Sequence, residues 1–265
     1  MDLRRAKYIL PNLFTLSSVA AGVYSIHLST TAQSVEEVTL SAWLIVVSMV
    51  CDGFDGRVAR MTRTESELGI QLDSLADAIS FGVAPAFLLY HWGMSEWGWL
   101  GFGVAIVYVC CAVLRLARFN VLAQSSSPES KRYFLGLPTP LAAGTIVSVV
   151  LAHLSFTETA ATGAGLSVAA MALLLSGLMV SNVKYRTFKD LQLRGKGVLR
   201  VLAVLGVVIG LSVLLKPSVT LVLVMAAYIV LGLGGGIVSV GRGIFAHVED
   251  EVDEEEELLA ADGES

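Results

Sequence analysis

The chain has 265 residues, of which 55% are hydrophobic and 15% charged, with a formal net charge of −5 and a mean hydropathy of +0.72. Soluble domains carry about 25% charged residues, so this composition indicates an integral membrane protein and excludes an ordinary soluble domain. No basic tract is large enough to indicate a nucleic-acid partner, and the three cysteines form no disulfide or zinc pattern.

Apolar segments follow one another along the chain, each close to the ~20 residues that cross a bilayer as a helix. They run from Ile9 to Ser29, Val38 to Arg60, Ile70 to Trp92, Gly98 to Leu122, Pro140 to Phe156, Ala164 to Val180, Val198 to Leu215 and Val219 to Val240. We therefore predict an all-α fold, a polytopic membrane bundle of about eight transmembrane helices. Residues 1–247 form one transmembrane domain, and the acidic residues 248–265 form a disordered, solvated tail.

Two of the predicted spans contain residues that interrupt their apolar character. Asn12 and Thr15 lie at the start of the first span, where they form either a polar lip of a functional site or an ordinary helix start after Pro11. Pro85 lies inside the third span, where its missing N–H and its ring predict a kink.

Four aspartates lie inside or at the mouths of the second and third spans. Asp52 and Asp55 share one helical face, and Asp73 and Asp77 are stacked at i, i+4. Because a charge at membrane depth costs at least about 2.5 kcal/mol, such acids indicate a functional site. Four oxygen ligands without histidine or cysteine favour Mg²⁺ or Mn²⁺ together with substrate phosphates. The alternative is a network of aspartates and arginines that only ties helices together.

Small and basic residues accompany these acids. Gly56 and Ala59 leave room beside the carboxylates for a ligand or a second helix. Arg57, Arg60 and Arg63 place positive charge in the short link between the two spans. Cations next to buried acids suit a ligand that contains a pyrophosphate.

The segment from residue 52 to residue 77 resembles the signature of the CDP-alcohol phosphatidyltransferases at every fixed position. The fixed positions are Asp52, Asp55, Gly56, Ala59, Arg60, Gly69, Asp73 and Asp77. The resemblance implies that the four aspartates hold two Mg²⁺ or Mn²⁺ ions and that Asp77 is also the catalytic base. It further implies a CDP-lipid pocket at Gly56, Ala59, Arg60 and Gly69, and a homodimer.

Further strings resemble the phosphatidylserine synthase branch of that family. They are RLARFN at 115–120, GLPTP at 136–140 and the segment that contains Ser181, Asn182, Lys184, Tyr185 and Phe188. The resemblance implies transfer from CDP-diacylglycerol or CDP-archaeol to L-serine, with Arg118 and Arg115 binding the serine carboxylate. Snorkelling to the membrane surface is the alternative role for these arginines.

The distribution of lysine and arginine predicts the orientation. Segments 57–63, 115–132 and 184–200 are basic, whereas 30–37 and 157–163 contain no lysine or arginine. Basic segments face the cytoplasm, so we expect a multi-pass protein of the cell (inner) membrane with the acidic site on the cytoplasmic side. Two alternatives stay open: a phosphorylated acceptor such as glycerol 3-phosphate or inositol phosphate, and a cation transporter.

Overall fold

A computed structural model describes residues 3–62, 64, 66–124, 133–157, 159–186 and 218–230. The predicted span from 198 to 215, the last ten residues of the predicted eighth span, Phe188 and the acidic tail lie outside the described residues. The tail and the boundary of the domain at residue 247 therefore stay predictions.

The described residues form helices joined by short links, with one pair of short strands. The elements are α1 (Leu3–Thr31), α2 (Val35–Thr62), α3 (Glu67–Trp97), α4 (Trp99–Gln124), β1 (Tyr133–Leu135), α5 (Thr139–Leu154), α6 (Gly165–Val180), β2 (Lys184–Arg186) and α7 (Ser218–Val230). In this part of the chain α2, α3 and α4 are long and apolar enough to cross a membrane, and α5 to α7 are apolar but shorter. The predicted helical fold is confirmed for the described residues, whereas the predicted number of about eight spans is not. Helix α1 covers the residues of the first predicted span but is not among the three helices that meet the length and apolarity of a span.

The first two helices form an antiparallel pair. A capping box starts α2, because the Glu37 carboxylate accepts from the backbone N–H groups of Gln33 and Ser34 while Ser34 Oγ accepts from the Glu37 N–H. Serine hydroxyls then join the two helices, with Ser41 Oγ 3.0 Å from Ser25 Oγ. This pairing places the start of α1 beside the end of α2, where two of the aspartates lie.

Helix α3 changes its pitch immediately after the last aspartate of the signature. Ser66 caps its start by accepting a 3.0 Å hydrogen bond from the Gly69 N–H. The helix is regular to Asp77, becomes a π-helix over Ala78–Val83 and is regular again over Ala84–Leu89, the stretch that contains Pro85. The irregularity predicted at Pro85 is thus a wide turn that ends two residues before the proline, which has no N–H to continue the α-helical pattern.

The core lies between α2, α3, α4, α5 and α6. Large side chains with no exposed surface fill it, among them Phe81, Tyr108 and Ile146. At one end of the bundle β1 and β2 pair antiparallel, with Phe134 opposite Tyr185. Since each strand has only three residues, this pair adds a small cap to the helical fold.

Candidate active site

The structure brings the four predicted aspartates together from two helices. Carboxylate oxygens of Asp52, Asp55 and Asp73 all lie within 4.8 Å of one another. Asp73 and Asp77 also interact electrostatically with Asp52. The short link between α2 and α3 allows this convergence, because it folds the end of one helix against the start of the next.

The cluster has the donor set that a hard divalent cation requires. All of its ligand atoms are carboxylate oxygens, which Mg²⁺ and Mn²⁺ prefer. Asp77 is not one of the three converging acids, but its Oδ1 is buried and has no hydrogen-bond partner among the described residues. Like charges at this separation repel one another in a partly buried site, so a bound cation would offset a large unfavourable term. The residues therefore fit the predicted metal.

The first helix contributes a hydroxyl to the cluster. Thr15 Oγ1 donates a 2.7 Å hydrogen bond to Asp55 Oδ2, and Thr15 is only 5% exposed. A methyl group added at Gly69 would lie 3.9 Å from Asn12 Oδ1, so Asn12 borders the start of α3. The sequence left open whether Asn12 and Thr15 form a polar lip of the site or an ordinary helix start. The structure supports the polar lip for both residues.

The small and basic residues of the signature lie on the same two helices as the acids. A methyl group at Gly56 would lie 3.7 Å from an Arg60 guanidinium nitrogen, so this arginine folds back over the glycine. Arg60 is exposed and Ala59 is partly buried. A side chain at Gly69 would lie 3.2 Å from Ser66 Oγ, the atom that caps α3. Gly69 therefore has a structural role in the cap as well as a predicted position in the pocket.

The two predicted acceptor arginines occupy different environments on α4. Arg115 is 7% exposed and interacts electrostatically with Asp77, and its guanidinium lies 5.2 Å from the ring centre of Phe119. Its Nε has no hydrogen-bond partner among the described residues. Arg118 instead donates to Asn182 Oδ1 at 2.6 Å and to the carbonyl oxygen of Val180 at 3.3 Å. Of these two arginines, Arg115 interacts with an aspartate of the site, whereas Arg118 contacts the end of α6 and Asn182.

Sequence reasoning missed two residues near the site. Asn120 Nδ2 donates a 2.8 Å hydrogen bond to Ser74 Oγ, which joins α4 to α3 next to Asp73. Tyr228 of α7 interacts electrostatically with Arg115. Asn120 is the last residue of the RLARFN string, so that string could have pointed to it. Tyr228 belongs to no motif that the sequence analysis found.

These features coincide with a family match. A family model described as CDP-alcohol phosphatidyltransferase matches residues 8–183. The chain therefore belongs to the CDP-alcohol phosphatidyltransferase family. The match begins within α1 and ends at Val183, three residues after α6. It therefore includes all eight signature residues as well as Arg115 and Arg118.

Several similar proteins share one name, CDP-diacylglycerol–serine O-phosphatidyltransferase. The protein of that name from Helicobacter pylori is 38% identical over 226 residues, which cover 85% of this chain and 90% of the relative. The one from Bacillus subtilis is 34% identical over 180 residues, 68% of this chain and 91% of the relative. The one from Methanocaldococcus jannaschii is 39% identical over 147 residues, 56% of this chain and 64% of the relative.

Proposed function

We propose that this membrane protein transfers a phosphatidyl group from CDP-diacylglycerol, or an archaetidyl group from CDP-archaeol, to the hydroxyl of L-serine and releases CMP. The observation that carries the proposal is the convergence of Asp52, Asp55 and Asp73 within 4.8 Å, in a chain that carries the complete family signature. The acceptor is supported by the name of relatives that match up to 85% of the chain.

The site suits a lipid substrate whose reactive group is a pyrophosphate. The tails of a CDP-linked lipid can stay in the bilayer while the pyrophosphate lies against the carboxylates at the membrane edge. We assign the nucleotide to Gly56, Ala59 and Gly69, whose small side chains favour close approach of a ligand, and a phosphate to the cation Arg60. The four aspartates would hold two Mg²⁺ or Mn²⁺ ions, which when bound neutralise the diphosphate and stabilise the leaving CMP.

Asp77 is the proposed catalytic base. The serine Oγ forms a bond to the lipid-side phosphorus, the bond between that phosphorus and the bridging oxygen breaks, and CMP leaves with the electron pair. A serine hydroxyl is a weak nucleophile, so a carboxylate must accept its proton. Asp77 Oδ1 has no hydrogen-bond partner among the described residues and is therefore available for that proton.

The serine carboxylate is assigned to the arginines of α4, with Arg115 as the direct ligand. Its guanidinium is buried near Asp77, which would bring the bound amino acid and its hydroxyl close to the base. Arg118 supports the pocket by holding the end of α6 through Asn182. A buried guanidinium presents a planar fork that matches a carboxylate, which favours this assignment over snorkelling.

The proposed setting is a multi-pass protein of the cell (inner) membrane with about eight spans. The basic segments 57–63, 115–132 and 184–200 and the acidic site belong to the same predicted cytoplasmic side, where a cytidine nucleotide is present. The proposed domain covers residues 1–247, beyond the family match, and α7 supports this extension because Tyr228 and Ile229 pack against the core. We propose a homodimer, as is typical of the family.

The test is CMP release by the purified protein in detergent with a CDP-lipid and Mn²⁺ or Mg²⁺. L-Serine, glycerol 3-phosphate and inositol phosphate are compared as acceptors, with Asp77→Asn as the inactive variant and Glu67→Gln, an exposed acid on the same helix, as its matched control. We expect release that depends on serine and is lost only in Asp77→Asn. Release with another acceptor would overturn the serine assignment, and no release with any acceptor would overturn the proposed transfer.

A further inference from the structure

A ring of buried serines lies one helical turn below the carboxylates. Ser18 follows Thr15 by three residues on α1, Ser48 precedes Asp52 by four on α2, and Ser80 follows Asp77 by three on α3. Their exposed fractions are 1%, 0% and 0%. Each of α1, α2 and α3 thus has a buried serine about one turn below the residue that it places in the acidic site: Thr15, Asp52 or Asp77.

Two hydrogen bonds of this ring end at the same atom, the carbonyl oxygen of Ser18. Ser48 Oγ donates to the carbonyl oxygen of Ser18 at 2.9 Å, and Ser80 Oγ donates to the same oxygen at 3.0 Å. Ser18 Oγ in turn lies 3.3 Å from Ser80 Oγ. We call this group, Ser18, Ser48 and Ser80, the serine node. Because the node links α2 and α3 through α1, it fixes the spacing of the two helices that carry the aspartates.

Close approach of the backbone makes the node possible. A methyl group at Gly22, one turn below Ser18, would lie 2.8 Å from Ser80 Oγ and 3.0 Å from Ser80 Cα. Only glycine leaves α3 this close to α1. The π-helical stretch that contains Ser80 begins directly after Asp77, so the node and the acid lie on either side of the change in pitch.

We propose that Ser48 and Ser80 are positioning residues that hold Asp52 and Asp77 at the separation required for cation binding. The inference rests on the proposed metal site and adds residues outside the family signature. An alternative role is general stabilisation, since hydrogen bonds between helices in membranes contribute to packing wherever they occur. The chain contains a second group of buried serines that separates the two roles.

The control group lies farther along the same helix pair. Ser41 is fully buried, donates to the carbonyl oxygen of Ser25 at 3.0 Å and lies 2.7 Å from Ser29 Oγ. Ser41→Ala therefore removes hydrogen bonds between α1 and α2, as Ser48→Ala does, from the same helix and with the same change in volume. It differs in its distance from the carboxylates, being two turns farther from Asp52.

The experiment measures the Mn²⁺ dissociation constant of the purified full-length protein from the electron paramagnetic resonance signal of free Mn²⁺, together with its melting temperature. We expect Ser48→Ala and Ser80→Ala each to weaken Mn²⁺ binding by about threefold, as the loss of one interhelical hydrogen bond predicts. Ser41→Ala should lower the melting temperature as much as Ser48→Ala without changing the dissociation constant.

Other outcomes would overturn the inference. If Ser41→Ala weakens Mn²⁺ binding as much as the node variants do, the serine node contributes only to general packing. If Ser48→Ala and Ser80→Ala both bind Mn²⁺ as tightly as the wild type, the node does not position the aspartates. The two node variants change different helices, so one remains informative if the other does not fold. Absence of Mn²⁺ binding by the wild type would overturn the metal site and this inference together, whereas the first two outcomes leave the proposed transfer intact.

Discussion

Thr15 Oγ1 and Asp55 Oδ2 are joined by a 2.7 Å hydrogen bond between α1 and α2. This bond brings into the site a helix that carries none of the eight signature residues. It also restrains the carboxylate, since Oδ2 of Asp55 accepts from the hydroxyl. The first helix is thus part of the site.

Replacing Thr15 should weaken cation binding. A hydrogen bond to a charged group contributes about 1.5 to 3 kcal/mol, so Thr15→Ala should raise the Mn²⁺ concentration for half-maximal activity by at least about tenfold. Thr15→Ser keeps the hydroxyl and should stay near the wild type. The measurement is CMP release as a function of Mn²⁺ concentration at saturating substrates.

A matched control for this prediction lies on α2. In the part of the chain that the structure describes, Thr39 Oγ1 donates only within its own helix, to the carbonyl oxygen of Val35 at 2.7 Å. Thr39→Ala should leave the Mn²⁺ dependence unchanged. If Thr15→Ala behaves like Thr39→Ala, the bond to Asp55 has no part in cation binding.

The acidic cluster could be predicted from sequence because its information is local. The spacing of Asp52 and Asp55 within one helix, and of Asp73 and Asp77 within the next, follows from helical periodicity alone. A short link between two apolar segments then forces the two pairs toward one another. The membrane helices were predictable for the same reason, since length and composition are properties of each segment.

The serine node and the bond between Ser74 and Asn120 could not be predicted in this way. They depend on which faces of different helices meet and at what depth, and serines in apolar spans usually bond within their own helix, as Ser176 does to the carbonyl oxygen of Ala172. The π-helical stretch after Asp77 also rotates the helix faces that follow it, and in the sequence only Pro85 indicates this irregularity.

Binding of a cation should stabilise the folded protein. A ligand that binds only the native state at one hundred times its dissociation constant adds about 2.7 kcal/mol. We therefore expect Mn²⁺ to raise the melting temperature of the chelator-treated protein, and Asp73→Asn to abolish most of that rise. Glu67→Gln should respond as the wild type does. An undiminished rise in Asp73→Asn would place the cation elsewhere.

Gly136 should be necessary for stability. Its φ of +77° is in the left-handed region, and a methyl group there would collide with the carbonyl oxygen of Met179. Gly136→Ala should therefore cost at least about 1 to 2 kcal/mol and lower the melting temperature. Among the described residues, no atom outside the neighbouring backbone of α4 lies within 4 Å of a methyl group added at Gly103, so Gly103→Ala should be tolerated. Equal melting temperatures for the two variants would contradict the argument.

Substitutions of the two arginines of α4 should have different effects on the KM for serine. Arg115 is buried beside Asp77, so Arg115→Lys, which keeps the charge but loses the planar fork, should raise the KM for serine by about tenfold or more. The KM for the CDP-lipid should change little. Arg118→Gln loses the hydrogen bonds to Asn182 and Val180 and should lower the melting temperature more than it raises the KM for serine.

Steady-state CMP release at varied serine concentration, with the CDP-lipid saturating, measures both arginine variants. A large rise in the serine KM for Arg118→Gln and none for Arg115→Lys would reverse the assignment of the direct ligand. Unchanged serine KM values in both variants would exclude this face of α4 from acceptor binding. Since Arg115 interacts with Asp77 and Arg118 contacts the end of α6, the two variants test separately the proposed binding of the acceptor and the support of its pocket.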